Sequence, residues 1–129
     1  MKYIKMFESF DRYNFREYDQ NNSSGEEMAQ IALDMNDDFV DLDKNDAKDI
    51  TYIIESYNIK MDVNSESIRF ELDDFCFSIL SLGDYCYVLF IYPEYDYYHY
   101  IGVIDGIEEL TNKLTEKINS YKQDDNETY

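Results

Sequence analysis

An uninterrupted apolar run at residues 85–92 constrains the fold of this chain more than any other segment. Eight residues are far fewer than the roughly 20 that a membrane-spanning helix needs, but they suit a strand that is buried on both faces of a sheet. Gly83 and Asp84 precede the run and predict a two-residue hairpin turn. Pro93 follows it and ends the strand, because proline cannot donate a ladder hydrogen bond.

The neighbouring segments alternate between apolar and polar residues, which predicts further strands. These strands fall at residues 59–63, 68–72, 75–79 and 97–104. The phase of the alternation changes by one residue at Asp73 and Asp74, which indicates either a tight turn or a bulge. Strands that follow one another so closely predict an antiparallel β-meander of about four to five strands.

Helical periodicity flanks these strands, and three capping boxes predict where helices begin. The boxes are Ser24 with Glu27, Asp46 with Asp49, and Asp105 with Glu108. The first of these helices is predicted to end near Asn36 and the second to stop at Asn58, in a left-handed conformation. A short helix is also predicted for residues 1–10, and residues 16–25 are predicted to form a loop.

This order of elements predicts an α+β fold with N-terminal helices and a C-terminal helix packed on one face of the sheet. The length of 129 residues allows one domain. We predict that this domain spans residues 1–122 and that residues 123–129 form a frayed C-terminal tail.

The charge of the chain is strongly negative and unevenly distributed. Eleven Lys and Arg oppose 29 Asp and Glu, which gives a net charge of −18, yet residues 1–22 are neutral. Residues 34–49 contain seven aspartates, and residues 70–112 contain nine acids without any Lys or Arg. This distribution argues against nucleic acid or an anionic membrane as a partner, and it favours a basic protein.

The aspartates between residues 41 and 52 are spaced partly like the ligands of a calcium-binding loop. Asp41, Asp43, Asn45 and Asp49 occupy the first, third, fifth and ninth positions of an EF-hand loop. The sixth position, which needs glycine, is Asp46, and the twelfth, which needs glutamate, is Tyr52. We therefore interpret the segment as a solvated acidic loop that leads into a helix cap, and we predict no metal site.

Two cysteines and one histidine are the remaining candidates for chemistry. With the predicted hairpin turn, Cys76 faces Ile91. Cys86 faces Ser81, so no disulfide is expected and both thiols are predicted to be free and buried. Cys86 and His99 suit a nucleophile pair across neighbouring strands, but the sequence offers no third group to complete it. We predict no catalytic residues and no cofactor.

Tyrosines are concentrated near the last strand, where five of the 14 lie within residues 92–100. Alternation places Tyr98 and Tyr100 on one face of the sheet and Tyr97 on the other. Exposed tyrosines commonly anchor protein interfaces, so some of these rings are predicted to be exposed for binding. The alternative is that they pack beneath the helices, with their hydroxyl groups reaching water.

Two separate pieces of the chain carry a resemblance. The opening MKYIKMFESF and the pattern DYCYVLFIY…YYHYIGVIDGIEELTNKL resemble parts of small, uncharacterised acidic proteins encoded by bacteriophages. The resemblance implies a phage-related origin. It also implies a role in host takeover or counter-defence, as in inhibitors of the anti-CRISPR type, and it assigns no functional residues.

Together these observations lead to the hypothesis of a non-enzymatic inhibitor that mimics DNA or RNA. It would occupy the basic nucleic-acid-binding surface of a host protein, such as a nuclease, with carboxylates in place of phosphates and tyrosines adding contacts. The predicted partner-binding residues are Asp37, Asp38, Asp41, Asp43, Asp73, Asp74, Glu94, Tyr95, Asp96, Tyr97 and Tyr98.

The alternative hypothesis is an acidic protein-interaction or virion-associated module that uses a tyrosine-rich sheet surface and self-associates. In either case we expect no direct nucleic-acid binding and no membrane insertion. We expect a cytoplasmic location, in the host cell if the protein comes from a phage. No small-residue cleavage site follows an apolar block at the start of the chain, so no secretory signal is expected.

Overall fold

The computed structural model describes residues 17–126, with side chains up to residue 122. In chain order the elements are β1 (Glu17–Asp19), α1 (Gly25–Met35), a 3₁₀ turn (Asn36–Asp38), α2 (Lys44–Ser56), β2 (Met61–Val63), β3 (Ser67–Leu72), β4 (Phe75–Gly83), β5 (Cys86–Pro93), β6 (Tyr100–Asp105) and α3 (Ile107–Asn126). The backbone of α3 continues past residue 122, where the tail was predicted to begin. The helix predicted for residues 1–10 lies outside the described residues.

The strands form one open antiparallel sheet in the order β1-β6-β5-β4-β3-β2. The predicted α+β class is confirmed, and β2 to β6 form a meander because each strand pairs with the next along the chain. The sixth strand, β1, comes from a segment predicted to be a loop, and it pairs with the outer edge of β6, with Tyr18 opposite Ile101. Three residues are too few to show an alternating pattern, so the sequence gives no signal for β1.

The apolar run is buried on both faces of the sheet along β5, as predicted. Tyr87, Leu89 and Ile91 point towards α2 and α3. They pack in one cluster with Ile54 of α2 and Leu114 of α3, both of which are fully buried. The alternate residues of β5 point to the opposite face and form a second cluster. The larger part of the core therefore lies between the sheet and this helix pair.

The position of α1 differs from the predicted single layer of helices. Whereas α2 and α3 lie together on one face, α1 covers the opposite face, where Met28 and Met35 pack against Val88 and Phe90. Because β5 and β6 carry apolar side chains on both faces, the second face also needs a cover. Met28 and Met35 are fully buried, which shows that α1 provides it.

The phase change after β3 is a tight turn, since Leu72 pairs with Phe75 across a two-residue connection. The next hairpin lies one residue beyond its predicted position. Its turn residues are Asp84 and Tyr85, both with positive φ, and a bulge follows Ser81 on the incoming strand. Positive φ at both central residues matches the twist of the flanking strands.

The shifted hairpin changes the partners of both cysteines. Cys76 pairs with Tyr92 rather than Ile91, and Cys86 pairs with Gly83 because the bulge adds a residue to β4. Both thiols are free, as predicted. Cys86 is buried, whereas Cys76 is only half-buried, so the prediction of burial holds fully for Cys86 alone.

Capping side chains set the starts of α1 and α2. Ser24 caps α1 as predicted, because its hydroxyl oxygen accepts a hydrogen bond from the Glu27 amide at 3.1 Å. α2 begins earlier than predicted. Its N-cap is Asp43, whose carboxylate accepts hydrogen bonds from the amides of Asn45 and Asp46 at 2.9 and 3.0 Å. The prediction of a cap at Asp46 was wrong because that side chain is needed in the core.

Backbone conformation sets the end of α2 and the start of α3. Asn58 has a φ of 60°, the left-handed conformation predicted for the end of α2. α3 begins at Ile107, and the residue before it, Gly106, has a φ of 88°. The Gly106 carbonyl accepts a hydrogen bond from the Leu110 amide at 3.1 Å, so Gly106 rather than the predicted Asp105 occupies the cap position.

Candidate functional site

The predicted partner-binding residues form two groups at opposite ends of the sheet. The first-end group is Asp73, Asp74, Glu94, Tyr95, Asp96, Tyr97 and Tyr98, and the second-end group is Asp37, Asp38, Asp41 and Asp43. Phe75 pairs with Pro93, which brings the turn before β4 beside the loop after β5. Val40 pairs with Ser81, which fixes the second-end group about 20 Å further along β4. The sheet therefore separates the two groups.

The helix α1 connects these ends. It starts beside the first-end group, where Gly25 touches the ring of Tyr97, and it leads into the second-end group through the 3₁₀ turn. Its exposed side includes three acids that the sequence analysis did not select: Glu26, Glu27 and Asp34. We call these three residues the α1 acids. The sequence does contain a pattern that could have identified the α1 acids, because residues 17–43 contain nine acids and no Lys or Arg.

Basic side chains are concentrated on the other side of the sheet. Residues 17–126 contain seven of them, of which five lie on α2 and α3: Lys44, Lys48, Lys113, Lys117 and Lys122. Of the other two, Lys60 immediately precedes β2 and Arg69 lies within β3. Because residues 17–43 pack against strands of residues 70–112, two segments without Lys or Arg meet on the α1 side of the sheet. Arg69 is an exception, because Ile68 and Phe70 on either side of it point towards α2 and α3, so its side chain lies on the α1 side beside Cys76 and Tyr92. The α1 side is therefore predominantly, but not uniformly, negative.

Two aspartates of the former calcium candidate have structural partners. The Asp43 carboxylate accepts two backbone hydrogen bonds as the N-cap of α2. Asp46 is buried and accepts a hydrogen bond from the Tyr87 hydroxyl. Burial, together with this hydrogen bond, raises the pKa of Tyr87. Among residues 17–126, no three His, Cys, Asp or Glu side chains are grouped in a way that could hold a metal ion.

The loop between β5 and β6 exposes two of its tyrosines strongly. Tyr95 is 92% exposed and Tyr97 is 54% exposed, with the exposed side chains of Glu94 and Asp96 beside them. The Asp96 carboxylate accepts a hydrogen bond from the Tyr97 amide at 2.8 Å. This loop therefore presents aromatic rings and carboxylates together at the first end.

The remaining tyrosines of this region belong to the core, on two different faces. Tyr98 is half-buried on the α1 side, with its ring centroid 5.3 Å from that of Phe90. Tyr100 is buried on the other side, beneath α3, and its hydroxyl donates to Glu17 at 2.6 Å. The predicted placement of Tyr98 and Tyr100 on one face was wrong, because residues 94–99 form a loop that resets the alternation.

The structure does not bring Cys86 and His99 together. Cys86 pairs with Asp105 at one end of the β5–β6 ladder, whereas His99 precedes the other end, where Ile91 pairs with Tyr100. Burial, and then the nearby Asp105 and Asp84 carboxylates, raise the pKa of Cys86 to about 12. The thiol therefore keeps its proton at neutral pH and is a weak nucleophile.

No helix in residues 17–126 is long and apolar enough to cross a membrane. Comparison with known protein families, curated proteins and solved structures finds no match for this chain.

Proposed function

We propose that this protein is a non-enzymatic inhibitor that binds the basic nucleic-acid-binding surface of a host defence protein, such as a nuclease. A phage-encoded protein of this kind acts in the cytoplasm of the host cell. The observation that carries the proposal is the acidic side of the molecule, where the α1 acids join the two predicted groups and the cation-free segments 17–43 and 70–112 meet.

The spacing of carboxylates along this side suits a phosphate mimic. α1 and the 3₁₀ turn together span about 22 Å, from the rise per residue of the two helix types. Five acids lie along this length: Glu26, Glu27, Asp34, Asp37 and Asp38. From Glu26 to Asp38 the mean axial spacing is about 5 Å, with a gap of about 10 Å between Glu27 and Asp34, compared with ~3.4 Å per phosphate along one DNA strand.

The acids at the end of α1 oppose the stability of the helix, which also supports a role in binding. Asp34, Asp37 and Asp38 lie at or just beyond the C-terminus, where the helix dipole favours cations. The last turn of α1 contains no basic residue. Residues that are unfavourable for folding commonly serve function, because activity and stability compete for the same positions.

Capture of a partner from host lysate tests the proposal, with the whole protein immobilised at low salt and at about 0.5 M salt. The test variant replaces the α1 acids, Glu26→Gln, Glu27→Gln and Asp34→Asn. The matched control removes three charges from exposed positions of α2 and α3, Asp49→Asn, Glu55→Gln and Glu109→Gln.

We expect the wild type and the control to capture a basic protein at low salt, and the α1 variant and high salt to abolish capture. The captured protein should also lose its ability to bind a duplex or single-stranded oligonucleotide when this protein is added. Capture that is insensitive to salt, or that leaves oligonucleotide binding intact, contradicts the proposal.

The alternative function, a self-associating or virion-associated module, is favoured by the exposed rings of Tyr95 and Tyr97. It predicts that the protein forms oligomers by sedimentation and that Tyr95→Ala with Tyr97→Ala dissociates them. A monomer at all concentrations contradicts self-association and leaves the acidic side as the basis for function.

A further inference from the structure

Two exposed tyrosines lie where the acidic side meets the first end of the sheet. Tyr95 and Tyr97 are separated by Asp96 and preceded by Glu94. The turn that contains Asp73 and Asp74 lies beside them, because Phe75 pairs with Pro93. The two exposed rings therefore lie two positions apart in the chain, with carboxylates on both sides of them.

The ring of Tyr97 is held in place by the start of α1. A β-carbon added to Gly25 would lie 2.7 Å from the Cγ atom of Tyr97, so only glycine lets the helix backbone approach this ring. The hydrogen bond from the Tyr97 amide to the Asp96 carboxylate fixes the backbone of the loop. Glu26 and Glu27 follow Gly25 directly on the exposed side of α1. A partner therefore meets a ring that is already positioned, and ordering it on binding costs little entropy.

We infer that the loop of residues 94–97, with the start of α1, recognises arginine rather than lysine side chains on the partner. This inference rests on the proposed function and names the chemistry of the basic surface. A guanidinium group stacks on a tyrosine ring while it forms two hydrogen bonds to a neighbouring carboxylate. A lysine ammonium group is a hydrated point charge and gains mainly the electrostatic attraction.

The test measures the affinity of the whole protein for two homopeptides of equal length, one of arginine and one of lysine. We expect the arginine peptide to bind about fivefold more tightly at physiological salt, from the usual strength of exposed cation–π contacts. The double variant Tyr95→Ala with Tyr97→Leu should abolish this preference, because it weakens the binding of the arginine peptide more than that of the lysine peptide. Leucine at position 97 retains an apolar side chain against Gly25, so the start of α1 stays covered.

Two control variants distinguish the effect of the Tyr95 and Tyr97 rings on the preference for arginine from the effect of negative charge on the binding of both peptides. Tyr52→Ala removes a ring that is 73% exposed on α2 and should leave the preference for arginine intact. Glu26→Gln with Glu27→Gln should weaken the binding of both peptides.

Equal affinity of the wild type for the two peptides, or a preference that survives in the Tyr95 and Tyr97 variant, overturns the inference but not the proposed function. Failure of both peptides to bind at low salt overturns the proposed function and the inference together.

Discussion

The two sides of the sheet use their charged residues differently. On the side of α2 and α3, carboxylates have partners within the protein: Asp46 accepts from Tyr87, and Glu17 accepts from Tyr100 and lies 3.3 Å from the Lys113 ammonium group. On the α1 side, Asp34 accepts a hydrogen bond from the Gln30 side chain at 3.1 Å, but the helix has no basic residue in its last turn and the acids at its end oppose the helix dipole. The comparison shows that a carboxylate can stabilise or oppose the fold according to where it lies, and the proposed binding role accounts for the acids that oppose it.

Raising the pH should destabilise first the α1 side and then the other side. Each side buries a thiol or a tyrosine hydroxyl whose pKa is raised in the folded protein. Burial raises the pKa of Cys86, on the α1 side, from 9.0 to about 12. Burial followed by hydrogen bonds to carboxylates raises the pKa of Tyr87 and Tyr100, on the other side, above 10.0. In each case the folded protein holds the proton more tightly, so the stabilisation is complete below the unfolded pKa and is lost as pH rises.

Stability measured by urea unfolding should therefore begin to fall near pH 9, from Cys86, and fall more steeply above pH 10, from the tyrosines. Each group lowers the folding equilibrium constant by up to about tenfold per pH unit. Burial also raises the pKa of Cys76, so Cys86→Ala should make the fall between about pH 9 and 10 smaller rather than remove it. An unchanged fall in this variant would show that burial of Cys86 does not contribute to the alkaline limit.

Removal of a single hydroxyl group tests how far the α2 and α3 side depends on its paired carboxylates. Tyr87→Phe leaves the buried Asp46 carboxylate without its tyrosine donor, so we expect a loss of about 1–3 kcal/mol in the free energy of unfolding. Tyr85→Phe, at a position that is 62% exposed in the nearby turn, is the matched control and should change stability little. Equal stability of the two variants would mean that Asp46 finds water or another donor.

Two aspartates six positions apart should respond to neutralisation with opposite signs. Asp43→Ala removes the N-cap of α2 and should cost about 1 kcal/mol. Asp37→Asn removes an anion just beyond the C-terminus of α1 and should stabilise the protein by about 0.3–1 kcal/mol at low ionic strength. Thermal unfolding at low and high salt measures both effects, and only the second should shrink with added salt. A destabilising Asp37→Asn would remove the argument that this acid opposes folding.

Sequence patterns predicted the helices and strands whose periodic pattern extends over many residues. They failed for features that depend on a contact between residues distant in the chain. The central strand, the meander and the cap at Ser24 follow from local patterns. The strand β1 exists only as a partner of β6, and the role of Asp46 depends on Tyr87, which is 41 residues away in the chain. Neither contact is visible in a local window.

The candidate site was predictable in composition but not in arrangement. The cation-free segment 70–112 was recognised, whereas the α1 acids were missed because α1 was placed on the wrong side of the sheet. The sequence analysis also treated residues 97–100 as part of one alternating strand, although residues 97–99 belong to a loop. Tyr98 and Tyr100 were therefore predicted to lie on the same face of the sheet. Exposure of Tyr95 and Tyr97 follows from this loop, and periodicity alone could not separate them from the buried tyrosines.

The pairing of β1 with β6 also has a consequence for the order of folding. The hydrogen bond between Tyr100 and Glu17 joins residues 83 positions apart, whereas β2 to β6 are connected by short links between neighbours. Closing so long a loop is entropically the most expensive step of the sheet, so β1 should join after the meander has formed. α1 follows β1 after a short connection. The α1 acids should therefore reach their final positions only after the meander has formed.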